Sequence, residues 1–569
     1  MTTNNKPLVP DWREYLVPVL ASISLIIACI IMSSKKYYWN DELFSYYFVT
    51  DPSFAKMLAA FYDKINNTPI LYFALGWVWD KIFGSEELSL RLFSSLGMCL
   101  ALAVSWITLR RTYGFWSTSI GTLAVFCTSN IIISQNVEAR MYGLFLALCA
   151  IAFLLYDQFY RNRQPSSKLL WANALVHVAI VHTHLFGGFY SGAILLSLFL
   201  TDRYFRLFRP KLYLSIILSW LSILLYVPAF LNQSDAGKPR TWIPMPDFGD
   251  LIDVLNISAS PFFNRFFLLL PLAIAVLYLY QISLTRNNQS DLAVKKTDVI
   301  SYSDISLLIF ALVFLATPVF IWLISITIKP IFYDRYMIPG ILGWAILFAF
   351  IFHSILPALV IDSKTNKRLN LFDNPAGLFS RLLILAALGI CLMTPIFLAR
   401  KFKSPGLTDN LVDQTQYSNL PVVWQIGGSF VQSLHYSPHP DKYYFIQDWE
   451  VAVNENSGLF SPQEFKHMDA LKRNYPKLFK NVVTTKEFLS KYDRFLVLDY
   501  PDHTRKCPLK PIGLKYTVLW EDLQCPQWLE MRILNNEAYK VTFLGNENWF
   551  SILLVEKQNG ATNMTSSSK

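Results

Sequence analysis

Charge is what this sequence is short of. Asp, Glu, Lys and Arg make up 16% of its 569 residues, whereas 53% are hydrophobic and 15% aromatic. A water-soluble domain carries about 25% charged residues, so a soluble enzyme is excluded and a bilayer protein is indicated. CxxC pairs and the Cys/His spacings of zinc sites are also missing, which removes the usual thiol-redox and zinc-ribbon readings. There is no internal repeat. No small-residue cleavage site follows the first apolar run, so residues 15–34 read as a retained first span. The net charge of +10 does not indicate a nucleic-acid partner, because Lys and Arg sit in short clusters between apolar runs, where they orient a membrane protein.

A helical span needs about 20 mostly apolar residues. Candidates are 15–34, 88–109, 115–133, 141–159, 169–183, 186–201, 212–231, 264–284, 305–328, 337–360 and 379–399, about eleven in all. The stretch Pro69 to Phe83 is apolar but short, with Asp80 and Lys81 near its end. Whether it crosses decides the sidedness of everything after it. Laid along the surface as an amphipathic helix, it puts Arg110 and Arg111, Arg161 and Arg163, and Arg203, Arg206, Arg209 and Lys211 on the cytoplasmic side. Arg286, Lys295, Lys296, Lys364, Lys367 and Arg368 then join them, together with Lys6 and Arg13 at the N-terminus. A crossing helix would turn nearly all of these outward, so the surface placement is preferred.

The expected architecture is an α-helical polytopic protein of the plasma membrane, N-terminus cytoplasmic, with a membrane domain over 1–400 and an extracytoplasmic α/β domain over 401–569. The first outer loop spans 35–86. The C-terminal region alternates polar stretches with strand-like runs at 422–426, 443–446, 494–500, 516–520, 539–544 and 550–557. Gly427 and Gly428 after the first run form a weak candidate phosphate cradle. Cys507 and Cys525 stand in the same region, as a disulfide or as two thiols, while Cys29, Cys99, Cys127, Cys149 and Cys391 fall in apolar runs and read as packing residues. In the loop 232–263, Trp242, Pro244 and Pro246 suggest an ordered lid with Asp247, Asp250 and Asp253 facing water.

The first loop opens with YYWNDELFSYY at 37–47, which puts Asp41 and Glu42 just beyond the first span. Aromatics belong to any membrane interface; adjacent acids there do not. A partly desolvated carboxylate is suited to take a proton from an attacking hydroxyl or amine. The loop continues through NNTPILYF at 66–73 and FGSEELSLRLFSS at 83–95, and EARMY follows at 138–142. In this order and spacing the pieces resemble the GT-C superfamily of integral-membrane glycosyltransferases, in particular its protein O-mannosyltransferase and aminoarabinose-transferase branch. The resemblance covers residues 10–200 and fades afterwards.

The resemblance implies Asp41 as the catalytic carboxylate, Glu42 in support, and a polyprenyl-phosphate sugar as donor to a hydroxyl or amine of a lipid, glycan or protein. A hexosyl- or pentosyltransferase acting with inversion on the extracytoplasmic face is the activity expected. Arg140, Arg335 (in YDRYMIP) and Arg91 are the candidates for the leaving phosphate, because a guanidinium keeps its charge and matches a phosphate with a planar fork. Glu138, Tyr142, His182, His184 and Tyr336 are candidate supporting residues, since ionisable groups at membrane depth are costly and mark function. Aminoarabinose transferases hold a metal through an acid in the surface-helix motif. Here the motif reads Asn66, Asn67, Thr68, Pro69 without that acid, so neither a metal nor another cofactor is expected. The competing reading is a polytopic flippase or transporter of lipid-linked sugars, but repeated halves and Gly/Pro-broken helices in matching positions are missing. A non-catalytic polysaccharide-binding protein would leave Asp41 and Glu42 unexplained.

Overall fold

The computed structural model describes residues 11–162, 165–238, 243–255, 302–360, 375–403, 412–414, 416–453, 462–499, 528–548 and 550–558. Outside them lie the expected span 264–284, the run 516–520, Trp242, Cys507, Cys525 and the basic residues Lys6, Arg163, Arg286, Lys295, Lys296, Lys364, Lys367 and Arg368. The chain divides into two compact units. One comprises Met1–Lys35, Thr68–Tyr226 and Pro246–Phe402; the other gathers Lys36–Asn67, Val227–Met245 and Lys403–Lys569.

The first unit is helical, and the chain is an integral membrane protein. Among the described residues six helices are long and apolar enough to cross a bilayer: Trp12–Ser33, Glu87–Arg110, Tyr142–Arg161, Ser303–Thr327, Asp334–Ser354 and Leu382–Lys401. Others fall short of the sequence expectation for local reasons. The run 115–133 is split between the helices Phe115–Phe126 and Asn130–Gln135, because Thr128 and Ser129 intervene, and such side chains compete for backbone partners. The run 212–231 is broken between Pro210–Leu225 and Val227–Asp235, where Pro228 enters the first turn of the second piece. Leu71–Phe83 has 13 residues; at 1.5 Å per residue that is about 20 Å, too short for a hydrocarbon core of about 30 Å.

Helices Glu87–Arg110 and Tyr142–Arg161 approach so closely that a Cβ at Gly143 would overlap the Ser94 carbonyl, and one at Gly97 would overlap the Gly143 backbone. Small residues permit this contact, and in a bilayer close van der Waals packing is what holds helices together. The five cysteines of the apolar runs are buried. One end of this unit is fastened by ion pairs: Arg110 to Glu14 at 2.6 Å, Arg111 and Arg161 to Asp157 at 3.0 and 2.7 Å, and Arg209 to Asp202 at 2.6 Å.

The second unit is built on a six-stranded mixed sheet in the order β3-β2-β1-β4-β6-β5. Its strands are β1 Val422–Trp424, β2 Tyr443–Ile446, β3 Val482–Val483, β4 Arg494–Asp499, β5 Tyr539–Glu547 and β6 Phe550–Lys557. The pairs β2–β3, β1–β2 and β1–β4 are parallel, and β6 runs antiparallel to both β4 and β5. Helices Gly427–Tyr436 and Gln463–Asn474 connect β1 to β2 and β2 to β3, the long crossovers that parallel pairing requires. Val423, Ile446, Phe488, Val497, Trp528 and Leu553 lie in one apolar core against the sheet.

The first loop is packed into this unit. Its helices Asn40–Val49 and Phe54–Phe61 are held by Tyr436, whose hydroxyl accepts from Tyr38 N at 2.6 Å, and by Gln432, whose amide donates to Tyr38 O at 2.7 Å. Arg473 pairs with Asp63 at 2.8 Å, and Lys64 with Asp235 of the segment Val227–Met245 at 2.6 Å.

Candidate active site

The sequence candidates fall into two clusters, one in each unit. In the helical unit, Tyr142 opens one helix, His184 follows the last residue of another (Ser167–Thr183), and Arg335 sits in the turn Asp334–Gly340 that leads into a third. Arg140 lies just ahead of Tyr142, with its backbone N–H donating to Ser94 Oγ at 3.1 Å and its carbonyl accepting from the same hydroxyl at 2.7 Å. The close helix crossing at Gly143 therefore also fixes Arg140.

These residues converge. The ring of His184 lies 5.8 Å from Tyr142, 5.1 Å from Tyr336 and 5.2 Å from Phe145, which it stacks upon. The Arg335 guanidinium rests 4.8 Å from the Tyr333 ring and 5.9 Å from the rings of both Tyr142 and Tyr336. Such faces attract a cation. Burial, helped by the positive charges of Arg140 and Arg335, pushes His184 down to about 3, so its imidazole is neutral at physiological pH. Two guanidiniums within reach of one histidine, both with less than a tenth of their surface exposed, make a pocket suited to an anion.

Glu138 is buried two residues before Arg140. His182 diverges from His184, with Nε2 3.1 Å from the Ser222 carbonyl and hydroxyl. Arg91 is fully enclosed and bonds Glu87 and the Ser33 carbonyl, both at 3.3 Å, contacts that tie two helices together.

In the sheet-based unit, Asp41 and Glu42 occupy the first turn of helix Asn40–Val49, where carboxylates complement the helix dipole. Glu42 is wholly buried; its Oε2 accepts from Trp39 N at 3.4 Å and faces Lys36 at 3.9 Å. It closes the helix. Asp41 keeps part of its surface open and lies near enough to His467 for its charge to act on that ring.

Three residues that the sequence did not single out lie on helix Gln463–Asn474, and one of them, His467, feels the charge of Asp41. His467 Nδ1 is 2.5 Å from the Lys64 carbonyl, and its Nε2 is 3.2 Å from Gln463 Nε2. Glu464 accepts from Gly428 N at 3.2 Å, and burial pushes its carboxyl up to about 7 against the lowering effect of the Gly428 and Gly427 amides. The Gly pair thus presents its amides to Glu464, where the sequence suggested a phosphate. The i, i+4 spacing of Gln463 and His467 was the only local signal for them. Among the described residues no group of three His, Cys, Asp or Glu is gathered as metal ligands.

No family model matches the chain, and no curated protein matches it. Solved structures do. ArnT from Cupriavidus metallidurans, bound to undecaprenyl phosphate, aligns with a TM-score of 0.51 at 12% identity over 95% of this chain and 98% of its own. The apo state of the same protein gives 0.53 at 12% identity, over 95% and 97%. An archaeal oligosaccharyltransferase, AglB from Archaeoglobus fulgidus in complex with an inhibitory peptide and a dolichol-phosphate, gives 0.45 at 11% identity over 86% and 70%. The two ArnT alignments run almost end to end, and the chain has the fold of the ArnT structures.

Proposed function

We propose that this protein is an extracytoplasmic membrane glycosyltransferase that moves a sugar from a polyprenyl-phosphate carrier to a hydroxyl or amine. The observation that carries this reading is the pair of buried guanidiniums, Arg140 and Arg335, gathered about His184, Tyr142 and Tyr336 in a chain with the ArnT fold. ArnT has been solved with undecaprenyl phosphate, and a guanidinium matches a phosphate in charge and in planar geometry.

In the proposed reaction Asp41 takes the proton of the acceptor as its oxygen or nitrogen attacks the anomeric carbon. The bond from that carbon to the phosphate oxygen breaks, and the electron pair leaves with the phosphate. Arg140 and Arg335 stabilise the charge that accumulates there. One base and a direct displacement give inversion. Neutral His184 and the tyrosines keep the guanidiniums oriented without adding a competing charge. Glu42 fixes the turn that carries Asp41, and Arg91 fixes the helix behind the arginine pocket. The N-terminus is cytoplasmic and the sheet-based domain extracytoplasmic in this scheme.

The test is transfer of labelled sugar from undecaprenyl-phosphate donors in membranes, with wild-type protein beside Asp41→Asn. Loss of transfer with retained undecaprenyl phosphate binding is expected. Full activity in Asp41→Asn removes the base assignment, and translocation of lipid-linked sugar without transfer would favour the flippase.

A further inference from the structure

Ser94 reaches beyond Arg140. Its hydroxyl has one hydrogen to give and two lone pairs to fill. The hydrogen goes to the Arg140 carbonyl at 2.7 Å, since a carbonyl only accepts. The Arg140 N–H donates to the same oxygen at 3.1 Å while also reaching the Glu138 carbonyl at 2.7 Å. The remaining lone pair faces the hydroxyl of Tyr72 at 3.4 Å. Ser94 has no hydrogen left for that contact, so Tyr72 is its donor. Ser94, Arg140 and Tyr72 are all buried.

Tyr72 comes from the first turn of the short helix Leu71–Phe83. Two turns on, Trp79 shares its face and donates from Nε1 to the Ser89 carbonyl and hydroxyl, both at 3.1 Å. The rings of Tyr72 and Trp79 lie 5.6 and 5.3 Å from that of Phe93, the residue before Ser94. The short helix is therefore fastened at two levels to helix Glu87–Arg110, and it cannot turn about its axis without losing these contacts. Its other side exposes Leu75, Val78 and Ile82, the apolar face that an interfacial helix lays on a bilayer.

We propose that Tyr72 acts through Ser94 as a positioning residue for Arg140, which makes the helix Leu71–Phe83 part of the frame of the lipid-phosphate pocket. This rests on the reading of Arg140 as a phosphate ligand. A guanidinium grips a phosphate with a planar fork, so its aim matters, and aim begins with the backbone that carries the side chain. Arg140 stands in the turn ahead of helix Tyr142–Arg161, where the helical ladder does not yet hold it. The Ser94 hydroxyl holds both of its backbone polar groups instead. Tyr72 fills the last lone pair of that hydroxyl and keeps its hydrogen turned toward the Arg140 carbonyl. An O–H···O bond of 3.4 Å is a weak one, so Tyr72 matters less than Ser94.

The test is equilibrium binding of undecaprenyl phosphate to the full chain in nanodiscs, for single and combined variants. Arg140→Gln should weaken binding by at least about tenfold, Ser94→Ala by about tenfold and Tyr72→Phe by about threefold. The deciding readout is coupling. A loss that runs through Arg140 disappears once Arg140 is replaced, so Tyr72→Phe should change binding by less than about 1.5-fold in Arg140→Gln, and likewise in Ser94→Ala. Merely structural damage would instead repeat its loss of about threefold in every background. Tyr72→Phe keeps the ring against Phe93 and so preserves the packing of the short helix. If Ser94→Ala does not fold, the cycle of Tyr72→Phe with Arg140→Gln carries the test. Binding unchanged in Tyr72→Phe, or losses that simply add, overturn the positioning role and leave the phosphate reading in place. Arg140→Gln binding like the wild type would remove that reading, and this proposal with it.

Discussion

The two candidate clusters set different side chains around their central histidines. Around His184 the helical unit collects guanidiniums and aromatic faces; around His467 the sheet-based unit brings the charge of Asp41, the Gln463 amide and the Lys64 carbonyl. A cationic pocket lined by tyrosine stabilises an anion and moves no proton. A carboxylate beside an imidazole can take up and pass a proton. Under the proposed function the leaving phosphate falls to the arginine cluster and the acceptor's proton to Asp41. Bond-making and bond-breaking then depend on different cores, which can be disturbed one at a time.

The comparison breaks most visibly at Asp41. Asp41→Asn should lower transfer by about 100- to 10,000-fold, the usual worth of a general base, while undecaprenyl phosphate binding and thermal unfolding stay as in the wild type. Substitution in the cationic pocket should show the reverse pattern. Arg140→Gln or Arg335→Gln is expected to lower transfer by about 100- to 1,000-fold and to weaken undecaprenyl phosphate binding. Lysine at either position should recover part of the loss, since it keeps the charge but not the fork.

A third variant separates packing from chemistry. Gly143→Val places side-chain atoms where the Ser94 backbone stands, so helices Glu87–Arg110 and Tyr142–Arg161 must part. We expect a cost of at least about 1–3 kcal/mol, read as a lower melting temperature in detergent, and weakened lipid-phosphate binding because Arg140 is tied to Ser94.

The smallest effect concerns Glu464. Its carboxyl is raised from 4.5 to about 7 in the fold, so the folded state prefers the protonated form. That contribution is complete below the ordinary carboxylate value and is lost as pH rises through about 7. Thermal stability of the wild type should therefore fall between pH 5 and pH 8 by about a few degrees, and Glu464→Gln should flatten the decline.

Much of this was legible in the chain. Apolar runs of span length marked the six long membrane helices, and alternation and β-branched runs marked β1, β2, β4, β5 and β6 within a few residues, because both patterns are local. The two-residue β3 carries no such pattern and exists only as a partner to β2. The breaks after Phe126 and near Tyr226 come from Thr128, Ser129 and Pro228, which a hydropathy window averages away. Asp41, Arg140, His184 and Arg335 stood out because ionisable groups are conspicuous in apolar surroundings. Gln463 and Glu464 did not, since in an ordinary polar helix nothing distinguishes them from solvated residues.

Composition and hydropathy by themselves determined that the chain lives in a membrane, where its helices begin, and which acids and arginines interrupt the apolar pattern. Tertiary structure decided which of those residues meet. It joined the first loop to a helix some four hundred residues away through His467 and Lys64, and it gave the Gly427–Gly428 amides to Glu464. It also turned His182 away from the cluster that holds His184. The reason is one of range: periodicity records how a residue sits on its own helix or strand, whereas a shared site depends on closing long loops and packing distant surfaces, which no local pattern encodes.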